Sequence, residues 1–133
     1  AFMSERHKIL IVDDERFNIN VLADLLKPSY KIMAAISGEQ ALKAARSGNP
    51  PDLILLDIMM PELDGYEVTR QIRGTSAFAH LPVIALTARA GYEDRRASLE
   101  AGANECLVKP VDPVELKAML DDFLNVANRT VVS

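Results

Sequence analysis

Short apolar runs alternate with longer mixed segments along the chain. The runs are Ile9-Leu10-Ile11-Val12, Ile32-Met33-Ala34-Ala35-Ile36, Leu53-Ile54-Leu55-Leu56, Val83-Ile84-Ala85-Leu86 and the weaker Cys106-Leu107-Val108. They are short, continuous and bounded by turn residues, which predicts strands buried on both faces rather than helices. Between them, apolar residues recur at helical spacing. Phe17 to Lys27 places Ile19, Leu22, Leu25 and Leu26 on one face and ends before Pro28. Ser37 with Gln40 makes a capping box for a helix running to about Ser47 and closed by Gly48, and Asp64 with Glu67 makes a second box for a helix stopping near Gly74. Asp112-Pro113-Val114-Glu115 joins a cap, a first-turn proline and a box glutamate. Behind it, Leu116, Met119, Leu120, Phe123 and Leu124 keep strict helical spacing. The segment from Gly91 to Gly102 also reads as a helix, but only Tyr92, Ala97 and Leu99 offer apolar surface. A helix with so little to bury is expected to be loosely held and available to a partner.

Five strand–helix units in succession argue for a parallel sheet with helices on both faces. Right-handed crossovers leave few topologies. The expected fold is a doubly wound five-stranded parallel sheet of order 2-1-3-4-5, a flavodoxin-like three-layer α/β/α arrangement.

Composition narrows the function. At 133 residues and 49% hydrophobic, the chain suits one domain with a real core. The domain is expected over 8–126, with 1–7 as an N-terminal extension and 127–133 as a tail or the start of a linker. Met3 reads as the natural first residue, with Ala1-Phe2 an added remnant. Cys106 is the sole cysteine, which rules out an internal disulfide and fits a reducing, cytoplasmic compartment. No apolar run approaches the ~18 residues of a membrane span, and no signal peptide is expected. A net charge of −4 disfavours direct binding to nucleic acid or to a membrane surface.

Four of the five apolar runs end in a functional polar group: Asp13-Asp14, Asp57, Thr87 and Lys109. In a parallel sheet all of these fall at the carboxyl edge, where such folds build their sites. Each alone has a plain structural reading. Asp13 or Asp14 would cap the following helix, Thr87 would cap the next turn, and Lys109 would be a solvated strand end. Together they are harder to explain so, because three clustered acids raise one another's pKa and cost stability unless a cation joins them. The set suits magnesium-assisted phosphoryl transfer, since Mg²⁺ takes carboxylates, waters and phosphate oxygens. His7 and His80 are isolated, so no zinc spacing competes.

With their surroundings these residues resemble the receiver domain of two-component response regulators. The resemblance runs from about Lys8 to Leu124. It rests on Ile11-Val12-Asp13-Asp14, on Leu55-Leu56-Asp57-Ile58-Met59-Met60-Pro61-Glu62-Leu63-Asp64-Gly65, on Leu86-Thr87-Ala88 and on Val108-Lys109-Pro110. It implies that Asp57 accepts a phosphoryl group from a phosphohistidine on a sensor histidine kinase or a histidine phosphotransfer protein. It further implies that Asp13, Asp14, Asp57 and the backbone carbonyl of Met59 hold Mg²⁺ (or Mn²⁺ in its place). Thr87 would bind the phosphoryl group, with small Ala88 keeping access open, and Lys109 would pair with Asp57 and then with the phosphate. The bond before Pro110 would be cis. The output would be a conformational shift read by a partner or output domain on the face formed by 91–102 and 105–112, with a phosphorylation-dependent homodimer left open. The domain would catalyse only its own phosphorylation and dephosphorylation. Met59 and Arg89 are candidates for setting phosphate lifetime, and a merely solvated Arg89 is the other reading.

One position departs from the family pattern. Cys106 stands where receivers often carry an aromatic, three residues before the lysine. It reads as a small apolar filler; a redox role would need an exposed, low-pKa thiolate. Tyr92 is a candidate to take the aromatic's place. Two rival classes fit less well. A flavodoxin-like cofactor protein needs a phosphate cradle after the first strand, where Asp13-Asp14-Glu15 would repel one. An aspartyl phosphatase would carry its nucleophile on the first strand with an acid two residues on, whereas Met59 follows Asp57 by two. A phosphorylation-independent receiver-like interaction module remains the alternative.

Overall fold

The structure, a computed structural model, describes residues 6–59, 64–88 and 91–124. The expected C-terminal tail, most of the N-terminal extension, Arg89 and the Met60-Pro61-Glu62-Leu63 part of the family motif lie outside the described residues.

Strands β1 (Lys8–Val12), β2 (Lys31–Ala35), β3 (Leu53–Asp57), β4 (Val83–Thr87) and β5 (Glu105–Val108) form one parallel sheet in the order β2-β1-β3-β4-β5. Between and after them come α1 (Arg16–Leu26), α2 (Gly38–Ala45), α3 (Gly65–Gly74), α4 (Tyr92–Ala101) and α5 (Pro113–Leu124), with a short 3₁₀ turn at Ser76–Phe78. The strand alternation sorts the core into two layers. Ile9, Ile11, Leu53, Leu55, Ile84, Leu86 and Leu107 face α1 and α5, meeting Ile19, Leu22, Leu26, Leu116 and Leu120. Leu10, Val12, Ile54, Leu56, Val83, Ala85 and Cys106 face the other way, toward Ala41, Ala45, Val68 and Ile72 of α2 and α3. Central strands buried on both faces need apolar residues at every position, which is why their sequences read as unbroken runs. The two edge strands are the exceptions: in β2 only Ala35 is buried, and in β5 only Cys106 and Leu107 are.

Most expected helix signals operate, with instructive exceptions. Ser37 accepts from Gln40 N–H at 3.2 Å, but the Gln40 side chain reaches Ile36 N–H rather than closing the box on Ser37. The helix ends at Ala45, where the Ser47 hydroxyl donates to Ala44 O at 2.8 Å, so Gly48 does not close it. Asp64 caps α3 through Tyr66 N–H, while Glu67 pairs with Arg70 and Gln71 instead of turning back. Asp112 caps α5 by accepting from Val114 N–H at 2.9 Å. In α4 the expectation about its face is corrected. Tyr92 is 75% exposed and Leu99 37%, and the buried residues are Ser98 and Ala101. The sheet side of α4 is therefore small and partly polar, and its large apolar residues point outward.

Gly65 opens α3 directly beside the end of β3. A Cβ there would lie 2.6 Å from Ile58 Cα and 2.8 Å from Asp57 O, both rigid backbone atoms. Gly65→Ala is expected to lower the stability read from a urea midpoint by about 2 kcal/mol, the scale of an overpacked core position. An unchanged midpoint would show that the β3–α3 junction is looser than described.

Candidate functional site

The strand register brings the polar run-ends to one edge. Val12 pairs with Leu56, so the next residues, Asp13 and Asp57, stand side by side. Thr87 pairs with Val108, and Lys109 N–H donates to Thr87 O at 2.7 Å, which carries Lys109 past the end of β5. Asp13 and Asp57 are buried, at 1% and 4% exposure, and Thr87 is buried at 2%. Asp14 is exposed beside them.

Lys109 bridges the two buried acids. Its Nζ lies 3.0 Å from Asp13 Oδ2 and 3.3 Å from Asp57 Oδ2. The other oxygens of the pair are held by backbone: Glu15 N–H donates to Asp13 Oδ1 at 2.9 Å, and Met59 N–H donates to Asp57 Oδ1 at 3.0 Å. Carboxylate oxygens of Asp13, Asp14 and Asp57 all come within 4.8 Å of one another. This donor set is oxygen-only and anionic, with one exposed member open to water, and it fits a hard divalent cation such as Mg²⁺. The cluster opens into a cleft of about 790 Å³, which leaves room for waters and a phosphoryl group.

The electrostatics follow from burial. Asp57 is pushed above the ordinary carboxylate value by burial and by the charge of Asp13, against the opposing Met59 N–H and Lys109. Asp14 is pushed up by partial desolvation, then by its hydrogen bond to Asp13 and that group's charge. Burial alone would lower Lys109, but the hydrogen bond to Asp13 and the charges of Asp57 and Asp13 outweigh it and raise the ammonium. Its contribution to stability is thus complete below 10.5 and is lost as pH rises through its higher folded value.

The remaining predicted residues divide. Ala88 and Met59 line the cleft, and Met59 is 53% exposed. The Lys109–Pro110 peptide is cis. Cys106 is buried at 9% exposure, one pleat row below Asp13 and Asp57, in the row Val12–Leu56–Ala85–Cys106. Burial pushes its thiol up despite a hydrogen bond with Ser98 and the nearby charge of Arg95, the opposite of what a redox thiolate needs. Tyr92 lies on the outer surface with Arg95, Arg96, Leu99 and Glu100. Glu15, Asn18, Asp64 and Tyr66 also line the cleft, and sequence reasoning had given them no site role. For Glu15 a signal existed in its place beside Asp13-Asp14; for Tyr66, which enters from α3, there was none.

Comparison with known proteins places the chain in a family. The family model of the response regulator receiver domain matches residues 9–121. The chain is 42% identical over 112 residues to the response regulator PleD of Caulobacter vibrioides, covering 84% of this chain and 24% of that protein. It is 40% identical over 118 residues to the alkaline phosphatase synthesis transcriptional regulatory protein PhoP of Bacillus subtilis, covering 88% and 48%. The chain thus spans between about a quarter and a half of the length of such curated relatives. Among solved structures, the receiver domain of a Pseudomonas aeruginosa sensor histidine kinase, with a magnesium ion coordinated in its active site cleft, aligns with TM-score 0.79 and 38% identity, covering 89% of this chain and 97% of that one.

A carboxyl whose folded pKa exceeds its unfolded value of 3.8 binds its proton more tightly when folded, so stability falls as pH rises through the window above 3.8. Asp57→Asn removes that cost and keeps an oxygen for Met59 N–H, while Lys109 keeps Asp13. In metal-free buffer at pH 7 the variant is expected to melt roughly 3 °C or more above wild type, for a gain near 1 kcal/mol, with the gap narrowing toward pH 4. A lower melting temperature at pH 7 would contradict this reading.

Proposed function

The chain belongs to the response regulator receiver domain family, the signalling modules of two-component systems, and from that membership we propose that Asp57 is its phosphoacceptor. The observation that carries the proposal is the meeting of three carboxylates, with an ammonium bridging two of them, at one end of the sheet. An Asp57 oxygen attacks the phosphorus of a phosphohistidine on a sensor kinase or phosphotransfer protein. The P–N bond breaks as the O–P bond forms, the imidazole leaves, and Asp57 becomes an acyl phosphate. Hydrolysis of that bond returns the carboxylate and inorganic phosphate. The reaction is loaded and cleared on the domain's own side chain.

Asp13, Asp14, Asp57 and the Met59 carbonyl would hold Mg²⁺, or Mn²⁺ in its place. That ion would neutralise charge on the phosphoryl oxygens. The chain's own groups do the rest. Lys109 exchanges an Asp57 oxygen for a phosphoryl oxygen and supplies a fixed positive charge where negative charge accumulates. Thr87 donates its hydroxyl to the phosphoryl group, and Ala88 leaves the approach open. Met59 at the cleft mouth limits water and so sets phosphate lifetime. Catalysis is mostly positioning and charge stabilisation.

Phosphorylation then shifts the population toward a conformer in which Thr87 and the segment after β4 have moved and α4 has repacked. A preference of a few kcal/mol for one conformer suffices to invert the populations. The face made by 91–102 and 105–112 is the output surface, for a separate partner, an attached domain or a second copy. Among the described residues no helix is long and apolar enough to cross a membrane, and a cytoplasmic site of action accords with phosphohistidine donors and the lone buried thiol.

Titration with beryllofluoride, a phosphoryl mimic, in saturating Mg²⁺ is the test. Wild type is expected to bind it, Asp57→Asn to lose binding by at least about tenfold, and removal of Mg²⁺ to abolish it. An equal response of wild type and variant would instead mark an interaction module that works without phosphorylation.

A further inference from the structure

The attachment of α4 to the rest of the fold rests on polar contacts. Its buried residues are Ser98 and Ala101 alone, and the Cys106 position of β5 supplies no aromatic for it to cover. Its first turn has no side-chain cap, and it starts five residues after Thr87. Its C-terminal end, by contrast, is pinned. Arg73 Nε donates to Gly102 O at 2.8 Å, and the same guanidinium donates to Leu81 O and Asn104 Oδ1, each at 2.6 Å. Gly102 takes φ +117°, and a Cβ there would lie 2.7 Å from Arg73 Cγ, so glycine is what lets the arginine close on this cap. Between the uncapped end and the pinned end, α4 meets β5 through the hydrogen bond of Ser98 with the Cys106 thiol and one ion pair: Arg95 Nη1 lies 2.6 Å from Glu105 Oε1, and that oxygen also accepts Cys106 N–H at 3.1 Å.

We propose that the Arg95–Glu105 ion pair is a latch that holds α4 against β5 in the conformer with Asp57 as a plain carboxylate, and that α4 swings about its Arg73–Gly102 end when the latch opens. The proposal rests on the phosphoacceptor reading above and adds the contact that sets the switch equilibrium. In the conformer described, both Asp57 oxygens are engaged, by Met59 N–H and by Lys109. The latched position of α4 belongs to that arrangement. Elsewhere such a half-exposed pair contributes little. On a helix that buries a serine and an alanine, a small term is a large share of what holds it in place.

The latch makes a prediction opposite in sign to a structural defect. In saturating Mg²⁺, calorimetric titration with beryllofluoride is expected to show about two- to fivefold tighter binding for Glu105→Gln and for Arg95→Gln, the size of one partly exposed ion pair. The glutamine keeps an oxygen for Cys106 N–H. The double variant is expected to gain no more than either single, because both remove the same contact. Hydrogen exchange is expected to quicken in 92–101 and to stay unchanged in 113–124. Unchanged or weaker binding in the single variants, or gains that add in the double variant, would overturn the latch. If wild type itself bound beryllofluoride without needing Asp57, the phosphoacceptor reading would fail first, and that outcome is separable from the latch result.

Discussion

One ammonium reconciles two buried carboxylates. Asp13 and Asp57 sit side by side at the end of neighbouring strands, nearly without contact with water. Taking two like charges out of solvent is expensive, and removing their counter-charge would leave the cost unrelieved. Lys109 lies within 3.3 Å of both. It is delivered there by the sheet register, through the Lys109 N–H to Thr87 O bond that extends the β4–β5 ladder. The site therefore has a built-in imbalance. The negative charges still exceed the positive ones, and the raised pKa values of Asp57 and Asp14 express it. A divalent cation is the addition that relieves such an excess of negative charge.

The same register ties the chemistry to the surface. Cys106 lies one row beneath the buried acids, and its neighbour Glu105 pairs with α4. Thr87 ends the strand that hydrogen-bonds to β5 on one side and Asp57's strand on the other. Between Asp57 and α4 stand two strands, β4 and β5. A helix held by an ion pair and small side chains has little apolar burial to lose by moving.

Much of this was legible in the chain. Burial on both faces leaves a strand no choice but an unbroken apolar run, so the three central strands announced themselves, and the polar residue ending each run marked the edge where the site would form. Edge strand β2 was recognisable but its exposure was not, because the run carries no sign that a strand stands at the end of the sheet with a neighbour on one side only. What stayed hidden depends on long-range partners. Tyr92 and Leu99 looked like the buried face of α4 because hydrophobicity was the only guide, yet the space against β5 admits Ser98 and Ala101. Gly48 looked like a helix stop, but the Ser47 hydroxyl satisfied the carbonyl earlier. Arg73 gave no signal at all: its worth lies in acceptors up to 31 positions away. Tyr66 joins the cleft only because Gly65 lets α3 start against β3.

Locating the transferred phosphoryl group tests the central claim most directly. After phosphotransfer in Mg²⁺, borohydride reduction of the acyl phosphate and peptide mass spectrometry should place the modification at residue 57, and the Asp57→Asn chain should carry none. A label on any other side chain, or equal labelling of the Asn variant, would contradict the account.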